Sequence, residues 1–100
     1  MIGTATKKPV KIDFFAWTGY NISALETWIK SLGEVPENII NKGRTQSDSS
    51  GELVYTISIN TLEGSSYDVP KNYIILRGVK GEYYPCAPHI FFETYTYKIN

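Results

Sequence analysis

The 100-residue chain carries ten Lys plus Arg against ten Asp plus Glu, so its formal net charge is zero. That balance argues against general binding to a phosphate backbone, which goes with a basic excess, and against an acidic nucleic-acid mimic. The length is that of one domain, and the single cysteine, Cys86, leaves no intramolecular disulfide, which fits a reducing compartment.

No apolar run approaches a membrane span, and Met1 to Pro9 has lysines without an apolar stretch behind them. The expected location is therefore the cytoplasm, with no membrane partner. Zero net charge also removes one barrier to self-association, so a homo-oligomer is among the expected assemblies. The tyrosine-rich aromatic share suits both sheet faces and binding surfaces.

In chain order, residues 1–8 read as a frayed terminus. Val10, Ile12, Phe14 and Ala16 then alternate with Lys11, Asp13, Phe15 and Trp17, the period of a strand. Thr18-Gly19 ends it. A helix follows from about Ser23 to Leu32, with Ile22, Leu25, Trp28, Ile29 and Leu32 as one apolar stripe. Ser23 and Glu26 have capping-box spacing, Asn21 competes as N-cap, and Gly33 with Pro36 ends the helix. Ile39-Ile40 reads as a short strand or a docking point. Residues 41–51, polar and without apolar periodicity, read as a mobile loop.

Four strands are expected next. Glu52 to Asn60 places Leu53, Tyr55, Ile57 and Ile59 on one face, and Gly64 suits a left-handed turn position. Ser65 to Val69 returns, with Pro70 at the second position of the following turn. Tyr73 to Val79 reads as buried on both faces. Lys80-Gly81 forms a hairpin to Glu82–Tyr84. Pro85 and Pro88 are expected to stop any ladder around Cys86. Pro88 opens a short helical turn over His89–Thr94, and Tyr95, Tyr97 and Ile99 alternate as a last edge strand. The fold class predicted is α+β: an antiparallel meander of five to six strands packed on one main helix, with a short C-terminal helical turn, as one domain over residues 1–100.

Catalysis has little support. His89 is the only imidazole and lacks a nucleophile–base signature, and Cys86 with His89 falls short of the three or four ligands of a zinc site. Gly78-Val79-Lys80-Gly81 lacks the spacing and context of a phosphate-binding loop. No catalytic residue, metal or cofactor is expected. A ligand site has more support. Arg77, Lys80, Lys7 and Lys8 stand with Tyr83, Tyr84 and Trp17 near strand ends, a combination that stacks a base and neutralises a phosphate. In that reading Arg77 and Lys80 meet a phosphate, while Tyr83, Tyr84 or Trp17 stacks on a base.

Several runs stand out together: Thr61-Leu62-Glu63-Gly64, Pro70-Lys71-Asn72-Tyr73-Ile74, Gly78-Val79-Lys80-Gly81-Glu82-Tyr83-Tyr84-Pro85-Cys86 and Pro88-His89-Ile90-Phe91, closing on Thr94-Tyr95. With Lys7-Lys8-Pro9-Val10 and Trp17-Thr18-Gly19, they resemble a group of small phage-encoded proteins, mostly of unassigned function. That group's pattern runs T-L-E-G, P-G-D-Y-I, G-V-K-G-E-F-Y-P-C, P-D-I-F and T-Y. The chain departs from it at Lys71-Asn72, where the pattern has Gly-Asp, and at His89, where it has Asp.

The resemblance implies a phage or prophage origin and action in the host-cell cytoplasm, and it supplies no catalytic residues to carry over. Three non-enzymatic roles fit it. One is a counter-defence sponge that sequesters a nucleotide-derived signalling molecule. Another is an inhibitor that binds a host or defence protein through a sheet edge or aromatic patch. The third is an accessory virion or regulatory protein.

Overall fold

The apolar alternation of the first segment produces strand β1 over Asp13–Ala16, in a computed structural model that describes residues 1–64 and 66–100. Helices α1 (Ile22–Ser31) and α2 (Pro36–Ile39) follow. Next come strands β2 (Ile40–Ser47), β3 (Leu53–Asn60), β4 (Ser66–Val69), β5 (Ile74–Arg77) and β6 (Tyr83–Cys86), and then helix α3 (Pro88–Thr94). The class is α+β with antiparallel pairing throughout, as the patterning predicts.

The expectation of one sheet of five to six strands is corrected. The strands form two three-stranded sheets, ordered β1-β5-β6 and β2-β3-β4. The chain changes sheets at the Pro70–Tyr73 turn, where Asn72 takes φ +71° and the Tyr73 N–H donates to the Pro70 carbonyl at 3.1 Å. Pro70 is thus the first residue of that turn, not the second.

The main core lies between the two sheets and α1. Phe15, Trp17, Ile75 and Tyr83 of the first sheet meet Ile22, Leu25 and Ile29 of α1 and Ile40, Ile57, Ile59 and Val69 of the second. The opposite face of the first sheet has its own cover: Ile74 and Leu76 pack on Phe91 of α3, with Phe14, Tyr84 and Tyr95 around them. Burial on both faces explains the unbroken Ile74-Ile75-Leu76 run. Helix α3 is the C-terminal helical turn expected over His89–Thr94, here covering its own side of the sheet, while α2 was not expected, so the single main helix is corrected to α1 with two short helices.

The helix α1 ends as read. Gly33 takes φ +84°, its N–H reaches the Lys30 carbonyl at 2.9 Å, and the Glu34 N–H reaches Ile29 at 3.2 Å, a Schellman pair. Its start differs. No capping box forms. Asn21 accepts from the Thr18 N–H at 3.0 Å and donates to the Ala16 carbonyl at 2.9 Å, closing the β1–α1 turn. Glu26 instead pairs with Lys42 at 3.4 Å.

The mobile loop expected over 41–51 is β2 and a tight turn. Strand β2 pairs with β3 across a bulge between Lys42 and Thr45. Asp48 organises the turn by accepting from the Ser50 N–H, the Ser50 hydroxyl and the Glu52 N–H. Polarity misled the reading because β2 is an edge strand, exposed along its length after Ile40. Two smaller corrections concern the C-terminal third. Pro85 lies inside β6, opposite Ile75, which an edge strand permits because one side needs no N–H. Residues 95–100 form no strand, and Tyr97 instead packs its ring on Phe14, Phe91 and Phe92.

Candidate functional site

The β5–β6 hairpin divides the residues expected to act together. Arg77 lies opposite Tyr83, so both face the main core, while Tyr84 lies opposite Leu76 and faces α3. Trp17 is 1% exposed and Tyr83 2%, so both are core residues and neither offers a ring to a ligand. That corrects their place in the predicted stacking site. Trp17 is buried because its N–H continues the ladder to the Tyr73 carbonyl at 2.9 Å, which turns its indole onto α1 and the second sheet. Tyr83 is held edge-on by Trp28, at 5.9 Å and 90°.

Arg77 is also engaged. Its guanidinium carbon is 6.0 Å from the Tyr83 ring centroid, and its Nη2 is 3.9 Å from Glu34 Oε1. Burial pushes the Tyr83 phenol above its ordinary range, with the Arg77 charge pulling the other way. Lys80 is exposed at the hairpin tip. Its backbone N–H donates to Glu82 Oε2 at 2.9 Å, which turns that carboxylate onto the turn.

Tyr84 is brought to a different place. It lines a groove of about 500 Å³ between the N-terminal arm, the hairpin and the end of α3. Lys7 and Lys8 supply two cations, Glu82 one carboxylate, which accepts the Lys80 backbone N–H, Tyr84 and Tyr95 two phenols, and Val10, Ile12 and Val79 apolar walls. Among the described residues Lys7 and Lys8 make no ion pair. The Tyr84 hydroxyl is pushed up to about 12, first by burial and then by its hydrogen bond with Tyr95, with Tyr95, Glu82 and Cys86 adding to it. It therefore stays a neutral phenol at physiological pH. The sequence supplied Lys7, Lys8 and Tyr84. Tyr95 was read as a strand residue, and only its seat after a helix reveals it as a groove wall.

A second depression, of about 430 Å³, lies on the second sheet. Its cations are already committed. Lys42 pairs with Glu26, and Lys71 sits 4.7 Å from the Tyr20 ring centroid with Nζ 3.3 Å from the Tyr20 hydroxyl. The groove beneath the arm is the better candidate on that ground.

Cys86 and His89 do not build a reactive pair. Burial pushes the Cys86 thiol up, away from thiolate, and Sγ contacts the Ala87 carbonyl at 3.6 Å. His89 is exposed in the first turn of α3. Among the described residues no three His, Cys, Asp or Glu side chains gather as a metal site would require. None of the helices described is long and apolar enough to cross a membrane. Compared with known protein families, curated proteins and solved structures, the chain finds no match in any of the three.

Proposed function

We propose that this chain is a non-enzymatic binding protein that captures an anionic small molecule bearing an aromatic ring in the groove beneath its N-terminal arm. The observation that carries the reading is the set of side chains there: two lysines that make no ion pair among the described residues, beside two phenols and an apolar wall, with the one lining carboxylate, Glu82, held by the Lys80 backbone N–H. Lysine ammonium groups complement phosphate, and phenol rings and aliphatic walls accept a flat ring. A volume of about 500 Å³ falls within the range that small-molecule sites occupy. The resemblance of residues 61–95 to small phage proteins gives the biological setting. In it the ligand is a nucleotide-derived defence signal, and the protein acts by sequestering it in the host cytoplasm.

A second reading rests on a different observation. Phe92 and Tyr97 are 56% and 52% exposed, with ring centroids 5.6 Å apart, and Tyr97 adjoins Phe14 on an edge strand of the first sheet. An aromatic patch beside a free strand edge suits an inhibitor of a host or defence protein.

Mass spectrometry of the supernatant after denaturing the purified protein separates the two. The ligand reading expects an anionic, ultraviolet-absorbing molecule released in proportion to protein. A supernatant without one, from protein that also binds no nucleotide added to it, moves the inhibitor reading ahead.

A further inference from the structure

The strand pattern of the sequence runs from Val10, yet β1 is paired only over Asp13–Ala16. The reason is geometric. Asp13 is opposite Arg77, so Ile12 would need Gly78 as its partner, and there the chain leaves the sheet for the hairpin turn. Residues 10–12 are strand-forming residues with no strand beside them, and Val10 is 49% exposed.

Strand β1 is also an edge of its sheet. The Trp17 N–H bonds to Tyr73 on the β5 side, so by alternation Asp13 and Phe15 also turn their backbone groups toward β5. Ile12 and Phe14 therefore turn theirs outward. The Ala16 carbonyl, which would extend this row, is already taken by Asn21.

From this edge we infer that the protein forms a two-fold symmetric dimer in which residues Val10–Phe14 of two copies pair as antiparallel strands centred on Ile12. The occupant is a second copy because the segment Val-Lys-Ile-Asp-Phe is complementary to itself in that register. Ile12 meets Ile12 of the second copy, Val10 meets Phe14, and Lys11 meets Asp13 twice. A shift to either adjacent register that keeps the outward backbone groups facing one another sets Lys11 against Lys11 or Asp13 against Asp13, and like charges directly opposite are unfavourable. Val10, Ile12 and Phe14 fall on the α3 side, where Tyr97 lies 6.0 Å from Phe14 and extends the apolar contact with Phe92.

The two joined sheets would form one continuous six-stranded sheet, ordered β6-β5-β1 and then β1-β5-β6 of the second copy.

Sedimentation equilibrium on the intact chain tests this without any ligand, so its outcome is separate from that of the ligand reading. The wild type should weigh twice 11.3 kDa. Lys11→Asp sets like charges opposite each other twice and should weaken self-association by at least about tenfold. Asp13→Lys should do the same, and an equimolar mixture of the two variants should recover a dimer, because each introduced charge then meets its opposite. Ile12→Pro, which removes an outward N–H, should also yield monomer, with circular dichroism confirming that each variant is folded. A wild-type mass of 11.3 kDa, or a dimer unmoved by both Lys11→Asp and Ile12→Pro, overturns the inference.

Discussion

Arg77 and Tyr83 face each other across the β5–β6 ladder, yet among the described residues Arg77 Nε and the Tyr83 hydroxyl are both buried without a hydrogen-bond partner of good geometry. A buried hydroxyl without a partner carries a desolvation cost of about 1–3 kcal/mol. Tyr83→Phe removes it while keeping the ring against Trp28, so the variant should be at least as stable as wild type. Urea denaturation reads this directly, and a clear loss of stability would show that the hydroxyl is bonded in solution.

Trp17 provides the sharpest test that the core, and not a ligand, surrounds its indole. Trp17→Ala should cost about 3–5 kcal/mol, the range for truncating a buried aromatic ring. Trp28, half-buried over Phe15 at 5.6 Å, should cost less. In a Trp28→Phe background the remaining indole should emit at short wavelength and resist quenching by iodide. Red-shifted, readily quenched emission would place Trp17 at the surface.

The sequence carried much of this fold where periodicity is strong. The α1 stripe, the inward face of β3 and the doubly buried β5 were all legible because apolar spacing reports burial directly. Strand β2 was not, since an edge strand with polar side chains leaves no periodic signal. The division into two sheets was hidden as well, because nothing local in Pro70–Tyr73 distinguishes a turn within a sheet from a turn between sheets. At the candidate site the residue types were readable, but faces were decisive. Adjacent tyrosines at 83 and 84 point opposite ways, and only the register shows which one joins Arg77 and which joins Lys7 and Lys8.

Asp48 should make stability fall in acid. Its carboxyl is held at about 2, against an ordinary 3.8, chiefly by the Ser50 hydroxyl, then by the Tyr20 hydroxyl and the backbone N–H groups of Ser50 and Glu52. A depressed carboxylate contributes stability that is present above 3.8 and lost as pH falls through about 2. Thermal melts across that window should show the decline, and Asp48→Asn should flatten it. An unchanged acid limb in the variant would assign the decline to other groups.

The glycine at the β2 bulge should resist substitution. A Cβ on Gly43 would lie 2.5 Å from Thr56 Oγ1, and that hydroxyl already donates to the Arg44 carbonyl at 2.9 Å. Gly43→Ala should destabilise the β2–β3 hairpin by about 1–3 kcal/mol, as overpacking does. Hydrogen exchange at the β2 and β3 amides should accelerate in the variant. Wild-type protection there would mean that Thr56 moves aside at no cost.

Calorimetric titration of a panel of nucleotide-derived signals tests the central claim most directly, with wild type set against a Lys7→Ala/Lys8→Ala pair, Tyr84→Ala and Arg77→Ala. A charge-assisted phosphate contact is worth about 1.5–3 kcal/mol and a stacked ring about 1–3 kcal/mol. At about 1.4 kcal/mol per tenfold, the lysine pair and Tyr84→Ala should each weaken binding by about tenfold or more. Arg77→Ala, whose side chain faces Tyr83 and Glu34 on the other side of the sheet, should leave affinity unchanged. Binding of at least one panel member with that pattern is the predicted result. No binding by any member, or an affinity that falls with Arg77→Ala and not with Lys7, Lys8 or Tyr84, would contradict the groove as the site.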